Sequence, residues 1–188
     1  MDKLSDMNTK SDSLVFVVQK HAATRLHYDF RLQIGEMMPS WAVPKGPTLD
    51  STVKRLAMET GEHDMEYRHF EGVIPEGSYG AGAVMIWDEG TYVPEIETAL
   101  GVRQQVKDPA EGQQVMKEGL AKGEIKFFMR GKKLKGSFAL VKTHGFGPKN
   151  SWLLIKHKDK YVVVGYDAKD SDMSVVSKRM IEEIAGGK

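Results

Sequence analysis

Residues 21–32 read His-Ala-Ala-Thr-Arg-Leu-His-Tyr-Asp-Phe-Arg-Leu. Leu26, Tyr28, Phe30, Leu32 and Ile34 alternate strictly with His27, Asp29, Arg31 and Gln33. A period of two marks a half-buried strand, so His27, Asp29 and Arg31 share one face while the apolar residues turn to a core. A solvent face normally carries Lys, Glu, Thr and Ser; imidazole, carboxylate and guanidinium in a row suit coordination instead. His27 and Asp29, with His21 supplied just before the turn, make a candidate facial triad of two imidazoles and a carboxylate. Such a set suits manganese, iron or zinc and leaves positions for water and substrate. Arg31, directly beyond the carboxylate, either faces a phosphate in bidentate fashion or pairs with Asp29. On spacing alone, a metal centre and an ordinary wet sheet face both stay open.

Further candidates are scattered along the chain. Lys45 lies in Trp41-Ala-Val-Pro-Lys-Gly-Pro47, where prolines fix the direction of the turn that carries its ammonium. His63 sits among acids in Gly61-Glu-His-Asp-Met-Glu-Tyr67, as either a surface histidine or a proton-transfer and anion-binding group. Arg55 reads equally as a surface charge, and Tyr67 and Tyr79 read as half-buried packing residues whose hydroxyls could also reach a phosphate. His69, His144 and His157 read as surface or packing residues. Gly77-Ser-Tyr-Gly-Ala-Gly82 lacks the Lys-Ser/Thr of a phosphate loop, so a β-hairpin connection is expected there. No Gly-x-Ser-x-Gly elbow occurs.

The elements that must position these residues read mainly as strands, at 14–20, 26–34, 55–59, 83–87, 124–129, 137–143, 152–157 and 161–165. Helices are expected over 109–122 and 174–184. Many short strands with few helices predict a mainly β protein, a compact β-barrel with a few peripheral helices. One domain over 14–188 is expected, with 1–13 a flexible N-terminal segment.

The chain has 188 residues, with 27 Lys and Arg against 26 Asp and Glu, for a net charge of +1. Residues 1–121 carry 12 basic and 19 acidic side chains, whereas 122–160 carry 11 basic and 2 acidic. The second stretch, at +9, reads as a solvated surface or as a landing strip for a polyanion. No apolar run approaches a membrane span and no signal peptide opens the chain, so a cytoplasmic protein is expected. With no cysteine, there is no disulfide and no thiolate nucleophile, and a metal must be held by His, Asp or Glu.

An ordered series of motifs gives a sharper reading. They are Phe16-Val-Val-Gln-Lys-His21, His27-Tyr-Asp-Phe-Arg31, Ser40-Trp-Ala-Val-Pro-Lys-Gly-Pro47 and Arg55-Leu-Ala57, followed by His63 with Tyr67 and Phe70-Glu-Gly-Val-Ile-Pro-Glu-Gly-Ser-Tyr-Gly-Ala-Gly82. Gly136-Ser-Phe-Ala-Leu-Val141 and Trp152-Leu-Leu-Ile-Lys156 close the series. Together they resemble the 3′-phosphoesterase domain of the prokaryotic non-homologous end-joining DNA ligase D, here in free-standing form. The resemblance runs from about Phe16 to Val162. It implies a β-barrel enzyme, dependent on manganese, that acts on DNA 3′ ends, removing 3′-phosphate and trimming 3′-terminal ribonucleotides. By position it makes His21, His27 and Asp29 the metal ligands and has Arg31, His63 and Tyr67 engage the phosphate. It puts Lys45 and Arg55 on positions needed for activity.

The same resemblance implies a functional link to a DNA ligase and to end-joining proteins. Two places depart from the family. Gly61 stands where an acidic residue usually precedes the histidine by two, and residues 1–13 hold nothing that aligns with the family's N-terminal arm. Both bear on ribonucleotide trimming, so the 3′-phosphatase activity is the firmer expectation. The competing readings are a non-catalytic DNA-end-binding β-barrel with a structural metal, and a metal enzyme acting on a small molecule.

Overall fold

A computed structural model describes residues 13–145 and 147–187. Residues 1–12, where a flexible segment is expected, lie outside the described residues. The strands are β1 (Leu14–Ala22), β2 (Leu26–Leu32), β3 (Met37–Val43), β4 (Lys54–Asp64), β5 (Gly72–Ile74), β6 (Gly82–Ala99), β7 (Val102–Gln105), β8 (Glu124–Gly131), β9 (Lys135–Lys142) and β10 (Ser151–Lys156). The helices are α1 (Pro109–Lys122) and α2 (Ile181–Ala185). The expected 109–122 helix is present to the residue. Asp108 caps it by accepting from the Glu111 amide, Pro109 opens it, and Gly123 ends it in the left-handed region.

The strands pair antiparallel in the order β1-β2-β3-β4-β10-β9-β8-β6, and β6 pairs again with β1, closing a ring of eight. The ring is barrel-like, with strands not evenly disposed round an axis. Its interior is filled by the apolar parity of each strand, including Phe16, Phe30, Trp41, Trp87, Phe127 and Trp152. Burying a side chain such as Phe30 contributes about 1.5–3 kcal/mol. Among the described residues, no helix is long and apolar enough to cross a membrane.

Three expectations on the elements need correction. Residues 161–165 form turns, not a strand: the run leaves the ring after β10, and the Val163 amide donates to the Leu49 carbonyl of a loop. Of the expected 174–184 helix only Ile181–Ala185 is helical. Its first half is a turn in which Ser174 Oγ accepts from the Val176 and Ser177 amides, and Lys178 has φ 62°. In the other direction, β3 forms through Pro39, which had read as a break. Proline has no amide to lose, and the β3–β4 ladder shifts register there: Ser40 opposes Thr60, and Met38 opposes His63.

That bulge decides the site. Without the extra residue, Met38 would oppose Glu62, and His63 would face the other way. With it, His63 shares the face of Met38, Ser40 and Arg31.

Candidate functional site

The site lies on the outer face of β1, β2, β3 and the end of β4. Register places Gln19 opposite Asp29, His21 opposite His27 and Ser40 opposite Arg31, so all six side chains project to one side. This face is not wet. Gln19 is 0% exposed, Arg31 3% and Asp29 7%, because the 3-10 turn Met65–His69 and the segment leading to α2 lie across it. Val175 packs there on Val17, Met38 and Ile86. Buried between two apolar layers, β1 opens as an apolar run, Leu14–Val18, followed by Gln19, Lys20 and His21. At the open end Leu26, expected in the core, is 42% exposed where β2 leaves the turn.

His21, His27 and Asp29 offer one ligand atom each, all within 4.8 Å of one another. His21 Nε2–H donates to the Gly80 carbonyl at 2.7 Å, and His27 Nδ1–H donates to the Arg25 carbonyl at 2.9 Å. Each carbonyl fixes the tautomer of its ring and leaves the other nitrogen's lone pair facing inward. His21 Nδ1 then lies 3.6 Å and His27 Nε2 3.2 Å from Asp29 Oδ2. Two lone pairs and a carboxylate oxygen converging in a buried spot demand a positive species between them, a proton or a cation. The donor set fits a borderline divalent transition metal with open coordination positions. The electrostatics agree. Burial works against the Asp29 anion, but the adjoining His21 and His27 rings and the Arg31 charge outweigh it and hold the carboxyl well below the usual range. The hydrogen bond to Asp29 raises the pKa of His27.

Arg31 organises the rest. Its Nε donates to Gln19 Oε1 at 2.7 Å, its Nη1 to Ser40 Oγ at 3.0 Å and to His63 Nδ1 at 2.9 Å, and its Nη2 lies 3.3 Å from Asp29 Oδ2. The ion pair to Asp29 expected as one alternative is therefore present, and it coexists with an uncommitted Nη2–H among the described residues. His63 Nδ1 also lies 3.2 Å from the Gly61 carbonyl, but a nitrogen that accepts from a guanidinium cannot donate. His63 is thus held neutral, with its proton on Nε2. Burial and the Arg31 charge lower its pKa accordingly. Tyr67 completes this end: its ring lies 4.9 Å from that of His63 and stacks on Phe70, and the Arg31 guanidinium sits 5.1 Å over it.

Residues 19–142 match the DNA Ligase D 3′-phosphoesterase domain. The chain belongs to this family. It is 45% identical over 146 residues to the multifunctional non-homologous end joining protein LigD of Pseudomonas aeruginosa, which covers 78% of this chain and 15% of that protein. It is 38% identical over 149 residues to the multifunctional non-homologous end joining DNA repair protein LigD of Mycobacterium tuberculosis, covering 79% of this chain and 17% of that protein. The chain thus spans less than a fifth of the length of these two relatives.

Within this phosphoesterase-domain fold, the expected site residues are not all brought together. His21, His27, Asp29, Arg31, His63 and Tyr67 form one contiguous set. Lys45 is exposed in the turn that follows β3, and Val43 at the end of β3 opposes Tyr28, so this turn flanks His27. Arg55 does not join them: it shares the parity of the core residue Ala57, opposite Met58 and Thr60, and its Nε is buried with no hydrogen-bond partner among the described residues. Tyr79, expected to be half-buried, is fully exposed, because Gly77 and Gly80 turn the backbone outward between β5 and β6. That connection is the expected β-hairpin, with Ile74 opposing Gly82. Gly82 cannot be replaced without strain: at φ +131° its Cβ would stand 2.1 Å from the Ala22 carbonyl oxygen. His69 is exposed in the 3-10 turn, His144 is exposed in the β9–β10 loop, and His157 is half-buried.

Four of the eleven basic side chains of 122–160 are engaged locally. Lys156 is buried against Asp159, Lys133 lies over Trp87 and donates to the Ser171 and Met173 carbonyls, Lys126 bridges Glu97 and Glu124, and Lys132 pairs with Glu89. The strands β8 and β9 also stand across the ring from β2.

Sequence reasoning missed Gln19. Its Oε1 holds Arg31, and its Nε2 donates to the Tyr67 and Phe70 carbonyls at 2.9 and 3.0 Å, tying the strand to the turn that carries Tyr67. The signal was a polar residue placed directly after the apolar run 14–18, on the parity of His21. Gln19→Ala is expected to destabilise the protein by about 2–4 kcal/mol, from three lost hydrogen bonds and a stranded guanidinium donor. Denaturant melts read this directly, and an unchanged midpoint would show that the bridge is not a structural one.

Proposed function

We propose that this chain is a manganese-dependent phosphoesterase that removes 3′-phosphate from DNA ends and leaves a 3′-hydroxyl for repair. We also propose that it trims 3′-terminal ribonucleotides less efficiently, since Gly61 replaces the family's usual acid. In this reading it works beside a DNA ligase and end-joining proteins. The observation that carries it is the convergence of His21 Nδ1, His27 Nε2 and Asp29 Oδ2, with both outer ring nitrogens tied to carbonyls, in a chain of this family.

His21, His27 and Asp29 would hold the metal. When bound, manganese supplies Lewis acidity toward a phosphoryl oxygen and acidifies a coordinated water. The chain's own residues do the remainder. Arg31, fixed by four partners, presents its free Nη2–H to an equatorial phosphoryl oxygen without reorganisation. Lys45 adds a mobile positive charge from the rim beside His27. His63, neutral with hydrogen on Nε2, serves as a hydrogen-bond donor to the phosphate or to the leaving 3′ oxygen. Tyr67 keeps Arg31 and His63 in register by stacking and offers its hydroxyl. With no cysteine and no activated serine at the site, attack by water is favoured over a covalent intermediate.

The test is phosphate release from a 3′-phosphorylated primer–template with and without manganese, beside a primer with one 3′-terminal ribonucleotide. Release that is lost with a chelator and restored by manganese is expected; binding without release would favour the DNA-end-binding module. The pH dependence gives a second check. Protonated His27 competes with the metal, so affinity should rise about tenfold per pH unit below the raised His27 pKa and level off above it. A pH-independent affinity across that range would remove His27 from the ligand set.

A further inference from the structure

The two ends of the site differ in charge and in chemistry. Along β2 the site runs from His27, next to the β1–β2 turn, to Arg31, with His63 beyond it. The four residue steps from His27 to Arg31 span roughly 13 Å of strand. At the His63 end the open cleft is lined by Glu62, Asp64 and Glu66 along with His63, Tyr67 and Phe70. Three carboxylates there repel a phosphodiester backbone. At the His27 end stand Arg25 and Lys45, both exposed, with Tyr79 fully exposed on the neighbouring loop and Glu76 the one acid of that loop. The backbone of this rim is fixed to the site, since the Arg25 carbonyl holds His27 and the carbonyl next to Tyr79, that of Gly80, holds His21.

We propose that the nucleic-acid strand leaves the site over the His27 end, where Tyr79 stacks on a nucleobase near the 3′ terminus and Arg25 contacts the next phosphate inward. This rests on the reading of the chain as a DNA 3′-end phosphoesterase and assigns the direction in which its substrate lies. A terminal phosphate at Arg31 leaves the strand two ways out, and the acidic wall beside His63 closes one. Nothing among the described residues covers this fully exposed tyrosine, whereas a nucleobase offers a ring face; such stacking is tolerant of sequence, as an end-processing enzyme requires. Because the backbone atoms of Arg25 and Gly80 orient the metal-binding histidines, the strand contacts and the reacting centre are held in fixed relation.

The test is binding, so that it does not depend on turnover. A fluorescent oligonucleotide duplex with a 3′-phosphate is titrated with the full chain in the presence of manganese, and anisotropy is followed over a range of salt. Tyr79→Ala is expected to weaken binding about tenfold, with Tyr79→Phe restoring it, because the ring and not the hydroxyl stacks. Arg25→Ala is expected to weaken binding and to lower the slope of log affinity against log salt by about one. Glu66→Gln on the opposite rim should bind at least as tightly as the parent chain. Melting temperatures confirm that these surface variants are folded. Parent-like binding by both Tyr79→Ala and Arg25→Ala would overturn the proposal, as would a Glu66→Gln variant as weak as they are. A parent chain that binds in this pattern but releases no phosphate would refute the catalytic reading and leave the strand direction standing.

Discussion

His27→Ala is expected to lower manganese-dependent release of 3′-phosphate by about a thousandfold or more. A centre with three protein ligands loses a third of its donors, and the second imidazole cannot compensate, since the Gly80 carbonyl fixes His21 with only Nδ1 inward. A thousandfold corresponds to roughly 4 kcal/mol of transition-state stabilisation, the range expected when charge neutralisation at a phosphoryl group is removed. For comparison, loss of an outer-shell partner of a metal ligand typically costs about 10- to 100-fold. Calorimetry gives an independent readout. Manganese at a hundred times its dissociation constant should stabilise the parent chain by about 2.7 kcal/mol, and this increment should vanish in the variant. In metal-free protein the linkage runs differently. His27, with its pKa raised by Asp29, contributes stability below its unfolded pKa of about 6.5 that is lost as pH rises through the folded value. His27→Ala should therefore cost metal-free stability at mildly acidic pH and little at pH 8. Normal manganese-dependent turnover in this variant would sink the triad.

Arg31→Ala should be both the most destabilising single change at the site and an inactive one. The side chain is 3% exposed and its guanidinium engages Asp29, His63, Ser40 and Gln19. Truncation strands a buried carboxylate together with three polar groups, and breaking a buried pair in this way costs about 3–5 kcal/mol. Arg31→Lys restores the charge but not the fork, and one ammonium cannot reach partners spread round a planar guanidinium; it should recover part of the stability and little of the activity. A structural role alone would not alter how His63 titrates. Arg31 holds His63 neutral, so in a folded, metal-free Arg31→Lys chain His63 Nδ1 loses its donor and its resonances should report a different tautomer mixture. Removing the positive charge altogether, as in Arg31→Ala, should raise the His63 pKa toward its ordinary value. An unmoved His63 titration in Arg31→Ala would show that the two residues are not coupled.

How much of this was legible in the sequence differs residue by residue. His27, Asp29 and Arg31 were readable together because a strand's period of two is a local property, and β2 keeps it from Leu26 to Leu32. The α1 boundaries were readable for the same reason: Asp108, Pro109 and Gly123 act on backbone within one turn of themselves. The failures share a cause. The run 161–165 is apolar enough for a strand but is held by a loop carbonyl, that of Leu49, and in 174–180 serine side chains satisfy backbone that a helix would have used. Pro39 hid β3, because a proline is acceptable in a strand only where a bulge removes the need for its amide, and a bulge is a property of two strands. The same bulge selects His63 over Glu62 for the Arg31 face. Net charge over 122–160 could not show which lysines are engaged locally: Lys126, Lys132, Lys133 and Lys156 find separate carboxylates and carbonyls around the ring.

The sequence by itself determined which side chains could do chemistry and the face on which three of them stand, since residue type and strand parity are set by covalent geometry. It also determined, through an ordered series of motifs, the family. Only the tertiary structure decided that this face is buried, that the Gly80 and Arg25 carbonyls fix both imidazoles with their lone pairs inward, that Gln19 and Ser40 clamp Arg31, and that Arg55 lies on the other side of its strand. Those facts depend on where a second strand or a distant loop stops, and hydrogen bonds between residues tens of positions apart leave no period in the chain to read.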